Sequence, residues 1–499
     1  MNSSQEAPPA DTSQPSLANR TATGVVWQFT SGVVVRVIGF VSTLLLTRFL
    51  APAEYGEVLV AAAVVITAVR FTTLGLSQYI IVHHSPAQEV FQAMVAQLSL
   101  SATALVLVTA MREPLAQALN TPGMARYVPP LALATFVTQS VQIPAATLVR
   151  SLCFRVPATA RALGELTYAT VSVGLAPSLG ATAVVAGNLA RGFVAAALIV
   201  WRVPLSSWWS PRLPNRSGLK GFLSFGLPLT GASIAETVSS FGDNLLVARF
   251  HGPAPMALYN LSYNVATTPT AYIADQAADV LLPGLSALKD PDRRRLAFLR
   301  ALGLVFLMVA PLIFGLAAVS PTMVAALLDS RWSASGPIIS VLSVVGAGYM
   351  LSSVTTPYLL SHRRAKTQLI LAWMRAISLV ILMTSVGRLG VMWAAASASA
   401  AVALSSLAVL VAVSRGERIP LAAMARQAGP ALGATVVMVT GVLAMRSAGS
   451  LFGLSAGFGL VLEIVAGTLC YTGAAVVLGR DQVRDLAGIV GDLHRRWRA

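Results

Sequence analysis

The chain has 499 residues, 56% of them hydrophobic and only 11% charged, with a mean hydropathy of +0.72. A soluble globular domain carries about 25% charged residues, so the composition excludes one and marks an all-α polytopic membrane protein. The formal net charge of +16 then becomes a question of where the basic residues lie. Residues 1–22 are rich in Ser, Pro, Gln and Ala without an apolar run. They read as a disordered cytoplasmic tail and, lacking an n-region and an h-region, not as a signal peptide. A transmembrane helix needs ~20 apolar residues to cross ~30 Å of hydrocarbon. That rule predicts fourteen spans, at 24–47, 57–82, 91–111, 127–149, 160–179, 181–201, 222–248, 256–282, 296–319, 334–360, 367–386, 389–413, 428–446 and 451–479. The largest connection, 204–221, holds Trp208, Trp209, Arg212, Arg216 and Lys220, which suits an interfacial linker in the headgroup layer. The basic stretch 480–499 reads as a cytoplasmic interfacial helix.

Charge placement orients these spans. With the N-terminus inside, most of the 35 Lys and Arg residues fall on the cytoplasmic side. The opposite side holds Arg48, Arg112, Arg126, Arg249, Arg331, Arg388 and Arg446, while Arg36, Arg70, Arg191 and Arg375 lie within spans. This is the positive-inside pattern. It places both termini in the cytoplasm and accounts for the basic charge without a nucleic acid. Cys153 and Cys470 sit in distant segments and suggest neither a disulfide nor a metal site.

An internal repeat divides the chain. Phe40–Ala53 aligns without a gap to Phe241–Ala254, matching Phe40/Phe241, Leu44/Leu245, Leu45/Leu246, Arg48/Arg249, Phe49/Phe250, Pro52/Pro253 and Ala53/Ala254. The halves are 23–203 and 222–413, pseudo-symmetric units of six helices, followed by an accessory pair over 414–479 and the tail 480–499. Duplicated membrane halves place their substrate site between them.

Ionisable groups within spans are costly and face a cavity or each other, so they carry the functional signal. The first span has Gln28, Gly32, Arg36, Gly39 and Thr43 on one helical face, and the second has Thr67, Arg70, Thr73 and Ser77. The seventh carries Ser233, Glu236, Ser240 and Asp243; the eighth carries Asn260, Asn264, Thr268, Asp275 and Asp279. The first half thus presents arginines and the second carboxylates. The repeat sets Arg36 within one position of the counterpart of Glu236, so the two are expected to face each other. Arg36 and Arg70 in one wet cavity suit a pyrophosphate, whose oxygens match the guanidinium fork. Asp275 and Asp279 are candidates for ion coupling, or for pairing with Arg293–Arg295. Arg191, Arg375, Glu165 and Glu463 read as structural. Pro129, Pro130, Pro144, Pro269 and Pro357 suggest kinked spans. No P-loop, H-E-x-x-H, G-x-S-x-G or Cys/His cluster occurs, and no connection is long enough to carry a glycosyltransferase, polymerase or ligase site. The pattern is that of a transporter that needs no cofactor.

The residues also resemble a family. Gly24–Trp27, T-R-F-L-A-P-A-E-Y-G (Thr47–Gly56), A-R-F-H-G-P-A-P-M-A-L-Y-N-L-S-Y-N-V-A-T-T-P (Ala248–Pro269), V-L-L-P-G-L-S-A-L-K-D (Val280–Asp290) and L-L-D-S-R-W-S-A-S-G-P (Leu327–Pro337) are similar to bacterial polysaccharide flippases. These belong to the multidrug/oligosaccharidyl-lipid/polysaccharide (MOP) exporter superfamily, and the likeness is to the branch handling colanic-acid or xanthan-like repeat units. The resemblance implies two six-helix lobes forming a V plus two C-terminal helices. It implies an inner-membrane protein that turns undecaprenyl-pyrophosphate-linked oligosaccharide from the cytoplasmic to the periplasmic leaflet. Its partners would be the lipid bilayer and the polysaccharide polymerase and export machinery. Arg36 and Arg70 match the cationic cavity common in the superfamily, with Glu236, Asp243, Tyr259, Asn260, Tyr263 and Asn264 lining the rest. The carboxylates of the second half depart from a uniformly cationic cavity. They leave open a multidrug or cation antiporter of the same fold.

Overall fold

In a computed structural model the described residues are 17–83, 86–151, 153–211, 216–362, 364–486 and 488. Residues 1–16 of the expected N-terminal tail, most of the basic C-terminal stretch, Arg212 of the linker and the side chains of Gln28, Arg216 and Lys220 lie outside them. Residues 17–22, expected as tail, are helical. Among the described residues there is no strand. The first group of helices comprises α1 (Leu17–Phe49), α2 (Pro52–Arg70), α3 (Leu76–Val82), α4 (Ala87–Ala110), α5 (Arg112–Ala118), α6 (Val128–Ser140), α7 (Gln142–Arg150), α8 (Arg155–Leu179) and α9 (Thr182–Arg202). The second comprises α10 (Arg216–His251), α11 (Pro253–Ala287), α12 (Pro291–Leu327), α13 (Ser335–Ser361), α14 (Ala365–Ser385) and α15 (Val391–Glu417). Then come α16 (Leu421–Leu451) and α17 (Ala456–Leu478).

Eleven helical segments among the described residues are long and apolar enough to cross a membrane. Helices α8, α10 and α11 are not among them, although at 25, 36 and 35 residues each exceeds the ~20 needed. The reason is their polar stripes: α8 carries Arg155, Arg161 and Glu165, α10 carries Glu236 and Asp243, and α11 carries Asp275 and Asp279.

Two expected spans are broken. The stretch 57–82 is interrupted between α2 and α3, where Leu74 and Gly75 take φ of 44° and 61°. The stretch 127–149 is interrupted at Val141, with φ −107° and ψ 0°. The prolines divide into two kinds. Pro129 and Pro130 open α6, and Pro144 lies in the first turn of α7, where a missing N–H breaks no helical bond. They start helices and do not kink them. Pro269 and Pro357 are interior to α11 and α13.

In the first group α8 and α9 pair, α1 lies on α8, and α6 lies on α9. In the second α13 packs against α11, α12 and α15, and α14 against α10 and α15. Helices α16 and α17 pair with each other and dock on α12. The two groups meet chiefly where α2 lies on α10 and α11. One apolar cluster crosses that joint and includes Leu46, Leu50, Tyr55, Met256, Tyr259 and Trp332.

Lipid tails are as apolar as Leu, so close approach and hydrogen bonds hold membrane helices together, not transfer from water. The joint shows both. A Cβ added to Gly56 of α2 would lie 1.9 Å from the Pro253 carbonyl oxygen, at the start of α11. The Trp332 indole donates to the Thr47 carbonyl at 3.0 Å, and Arg331 donates to the Arg48 carbonyl at 3.1 Å. Arg331 also bonds Asp329 at 2.9 Å, which holds that carboxyl below its ordinary range. The duplicated motif therefore forms this joint. In both copies proline opens the following helix, the position that favours it. Gly252 before Pro253 has φ +81°, a conformation L side chains resist.

The linker differs from its expected exposure in one respect. Trp209 is exposed, but Trp208 is buried beside Phe222 and Ile80.

Candidate functional site

The polar residues singled out from the sequence occupy three places. The first is the seam between α1 and α11. Arg36 bonds Asp275 at 3.3 Å and the Thr268 carbonyl at 3.5 Å, with its guanidinium 4.8 Å from the centre of the Tyr272 ring. A Cβ on Gly32, one turn earlier, would be 3.4 Å from the same ring. The ion pair is open to its surroundings, with the side chains 36% and 60% exposed. Asp279, a turn further along α11, is exposed and has no ion pair among the described residues. Arg293 bonds Asp290 at 3.6 Å and Arg294 the Leu288 carbonyl, so neither neutralises Asp275.

The expected facing of Arg36 and Glu236 does not occur. Glu236 instead takes Arg375 of α14 at 3.0 Å and the Ser240 hydroxyl at 3.2 Å. A repeat places two residues at equal depth, but helix rotation decides the partner. Arg375, read from the sequence as structural, lines a cavity of about 250 Å³ inside the second group together with Glu236, Asp243, Tyr263, Tyr349 and Gln368.

Beside that cavity lies a buried network. Asp243 is 1% exposed and accepts from the Tyr259 hydroxyl at 2.8 Å and the Asn244 backbone N–H at 2.7 Å. Asn260 donates to the Asn244 side chain at 3.0 Å, and Asn264 to the Asn260 carbonyl at 2.9 Å. The motif Tyr259-Asn260…Tyr263-Asn264 thus divides along the helix axis, since Tyr263 shares a face with Tyr259 but stands about one turn, ~5.4 Å, further on. Tyr263 lines the cavity, whereas Tyr259 and Asn260 tie α11 to α10. Tyr259→Phe would leave the buried carboxylate with fewer donors. The expected loss is about 1–3 kcal/mol, to be read as a lower unfolding temperature in detergent.

The third place is a cavity of about 390 Å³ at the two helix breaks. It is lined by Arg70, Thr73, Gln78, Gln139, Gln142 and Ser233, among others, and not by Arg36. The Arg70 guanidinium makes no ion pair among the described residues, while its backbone carbonyl accepts from the Thr73 hydroxyl at 3.2 Å. The two arginines expected to clamp one ligand thus have different surroundings, one at a helix seam and one in this cavity. Arg36 lies within α1 against α11, whereas Arg70 is the last residue of α2, beside the break. Gln139 and Gln142 were missed because polar residues were followed only along spans that also carry an ionisable group, and 127–149 carries none. Three glutamines (Gln97, Gln139, Gln142) in otherwise apolar segments are themselves a signal, since amides in membrane helices seek partners.

A family model described as "Polysaccharide biosynthesis protein" matches residues 45–337, more than half of the chain. The lipopolysaccharide biosynthesis protein WzxC of Escherichia coli (strain K12) is 26% identical over 353 residues, covering 68% of this chain and 69% of that protein. The succinoglycan biosynthesis transport protein ExoT of Rhizobium meliloti (strain 1021) is 24% identical over 349 residues, covering 69% and 70%. The lipid II flippase MurJ in an inward closed conformation superposes with a TM-score of 0.75 at 14% identity, covering 92% of this chain and all of that one. An inward-facing multidrug resistance MATE family transporter of the MOP superfamily gives 0.55 at 14% identity, covering 83% and 97%. The spans, the joint built from the duplicated motif and these likenesses agree: the chain belongs to the polysaccharide biosynthesis protein family, in the all-helical fold shared with transporters of the MOP superfamily.

Proposed function

We infer that this protein turns an undecaprenyl-pyrophosphate-linked oligosaccharide repeat unit from the cytoplasmic to the periplasmic leaflet of a bacterial inner membrane, for exopolysaccharide or lipopolysaccharide assembly. The observation that carries this reading is the Arg36–Asp275 pair at the α1–α11 seam. A guanidinium in the membrane is held there by a carboxylate that is 60% exposed and 3.3 Å away. A pyrophosphate offers the same fork more acceptor oxygens and more charge, so it displaces Asp275 and takes Arg36. The freed carboxylate then leaves α11 no longer tied to α1, which couples headgroup binding to separation of the two groups of helices. The orientation, with both termini cytoplasmic, rests on the distribution of basic residues.

The family membership and the names of WzxC and ExoT support a polysaccharide substrate, and the name of MurJ, a lipid II flippase, supports a lipid-linked one. The antiporter reading rested on the carboxylates of the second half. Glu236 is taken by Arg375, Asp275 by Arg36, and Asp243 by Tyr259 and Asn244, which leaves Asp279 as its remaining candidate.

The test is the leaflet distribution of labelled undecaprenyl-pyrophosphate oligosaccharide in cells lacking the gene and complemented with variants. The wild-type gene restores outward transfer and surface polymer. Arg36→Ala at normal membrane levels is expected to reduce transfer at least about tenfold, the scale of a lost charge-assisted hydrogen bond. Arg36→Lys restores little, because a point charge does not make the forked contact. Normal transfer without the gene, together with lost resistance to organic cations, would instead establish the antiporter.

A further inference from the structure

We propose that His362 is a proton-operated latch. Protonated, it fastens the connection between α13 and α14 to the last turn of α15; neutral, it lets go. The latch lies at the end of the second group that the orientation argued above puts in the cytoplasm. Glu417, the last residue of α15, meets the His362 Nε2 at 3.2 Å and the Arg364 guanidinium at 3.0 Å. Arg364 also donates to the Gly416 carbonyl at 3.0 Å. The His362 and Glu417 side chains are only 16% and 15% exposed, although one stands in a connection and the other at a helix end. Past Glu417 the chain turns through Arg418, with φ +53°. Ile419 is then fully buried in the apolar cluster of the second group, and α16 follows. The latch therefore holds the corner from which the C-terminal pair departs.

The ring geometry calls for the proton. Nδ1 of His362 stands 2.9 Å from the Tyr358 carbonyl, while Nε2 faces the Glu417 carboxylate. Both partners only accept. A neutral imidazole carries one N–H and one lone pair, whereas the imidazolium donates from both nitrogens. The Tyr358 carbonyl is open to the ring because α13 ends here, and the His362 backbone N–H bonds Leu359 instead. The Ser361 hydroxyl is 3.3 Å from Nδ1 but gives its proton to the same carbonyl at 2.7 Å. It therefore supplies Nδ1 with no donor. The end of a helix also favours a positive charge. A neutral ring leaves one of its two acceptors facing a lone pair, and that contact opens.

The surrounding charges set the direction. The Tyr358 ring lies 4.5 Å from the His362 ring and 4.3 Å from Phe298 of α12. Arg294 and Arg295 of α12 and Arg364 act on Tyr358 as positive charges, and Glu417 acts as a negative one. The arginines repel an imidazolium, and Glu417 is the carboxylate that offsets them. Guanidiniums and carboxylates ordinarily keep their charge over about pH 5–8, the interval in which imidazole changes its own. The latch is thus formed on the acid side of this interval and is lost as pH rises through it.

The test is hydrogen exchange of the full-length protein in lipid nanodiscs at about pH 6 and about pH 8, each rate divided by the intrinsic rate at that pH. Peptides that include His362 or Glu417 are expected to be about tenfold more protected at the lower pH, the scale of one charge-assisted hydrogen bond. His362→Gln keeps an N–H for Glu417 but holds no titrating proton, so its protection should be the same at both pH values. If that variant does not yield monodisperse protein, Glu417→Gln replaces it and should shrink the difference at least about threefold, since the imidazolium loses its counter-charge. Equal protection of the wild type at the two pH values overturns the latch, as does a difference that survives unchanged in either variant. So does a difference of the same size in peptides covering the connection between α12 and α13, which would belong to the whole protein and not to His362.

Discussion

Gly56→Ala is expected to separate the two groups of helices and to abolish polymer export. The added Cβ would stand 1.9 Å from the carbonyl oxygen of Pro253. That neighbour is backbone at the start of a 35-residue helix, so it cannot swing aside as a side-chain tip would. Relief requires α2 and α11 to part by more than an ångström. That movement strains the indole bond from Trp332 to Thr47 and the guanidinium bond from Arg331 to Arg48. Overpacking costs about 1–3 kcal/mol where side chains absorb it, and a backbone clash belongs at or above the upper end. The measurement is thermal unfolding in detergent alongside membrane levels. Gly174→Ala is the control: nothing lies within 4 Å of its added Cβ, and alanine favours a helix by about 1 kcal/mol. A Gly56→Ala protein as stable as Gly174→Ala would mean that the joint is not packed as described.

Arg446→Met is expected to be the second large effect, through the C-terminal pair. Arg446 was expected in an outer connection but lies within α16 and grips Glu463 of α17 with both arms of its fork, at 3.0 and 3.1 Å. Thr322 of α12 donates to the same carboxylate at 2.7 Å, and Arg446 also donates to the Ala318 carbonyl. Glu463 is 2% exposed. Removing the arginine leaves that carboxylate buried and unpaired, which costs about 3–5 kcal/mol. Replacing both partners removes the charge as well, so Arg446→Met with Glu463→Leu should recover most of the loss. Unfolding temperature and accessibility of Cys470 on α17 to a membrane-permeant thiol reagent would report it. A double variant as unstable as the single one would assign the cluster some role other than charge pairing.

How far the site could be read in advance differs residue by residue. Arg36 and Asp275 were both picked out because charge inside a membrane is costly. Their pairing was not, because the repeat relates depths and says nothing of helix rotation. The Tyr259-Asn260 motif stood out by composition, and only packing showed that one face of it ties α11 to α10 through Asp243. Gln139 was passed over because its span, 127–149, carries no ionisable group to mark it.

Local composition was sufficient for the membrane class, most of the spans, the duplicated halves and the all-helical fold. Each rests on a property of the segment alone: apolar length against bilayer thickness, charge against the positive-inside rule, and identity between two stretches. Tertiary structure alone decided that α2 and α6 break off at Arg70 and Ser140, that Arg36 faces α11 while Arg70 faces a cavity, and that Glu236 belongs to Arg375. These are choices among partners of similar chemistry. They are settled by helix rotation and close approach, which depend on every neighbour at once.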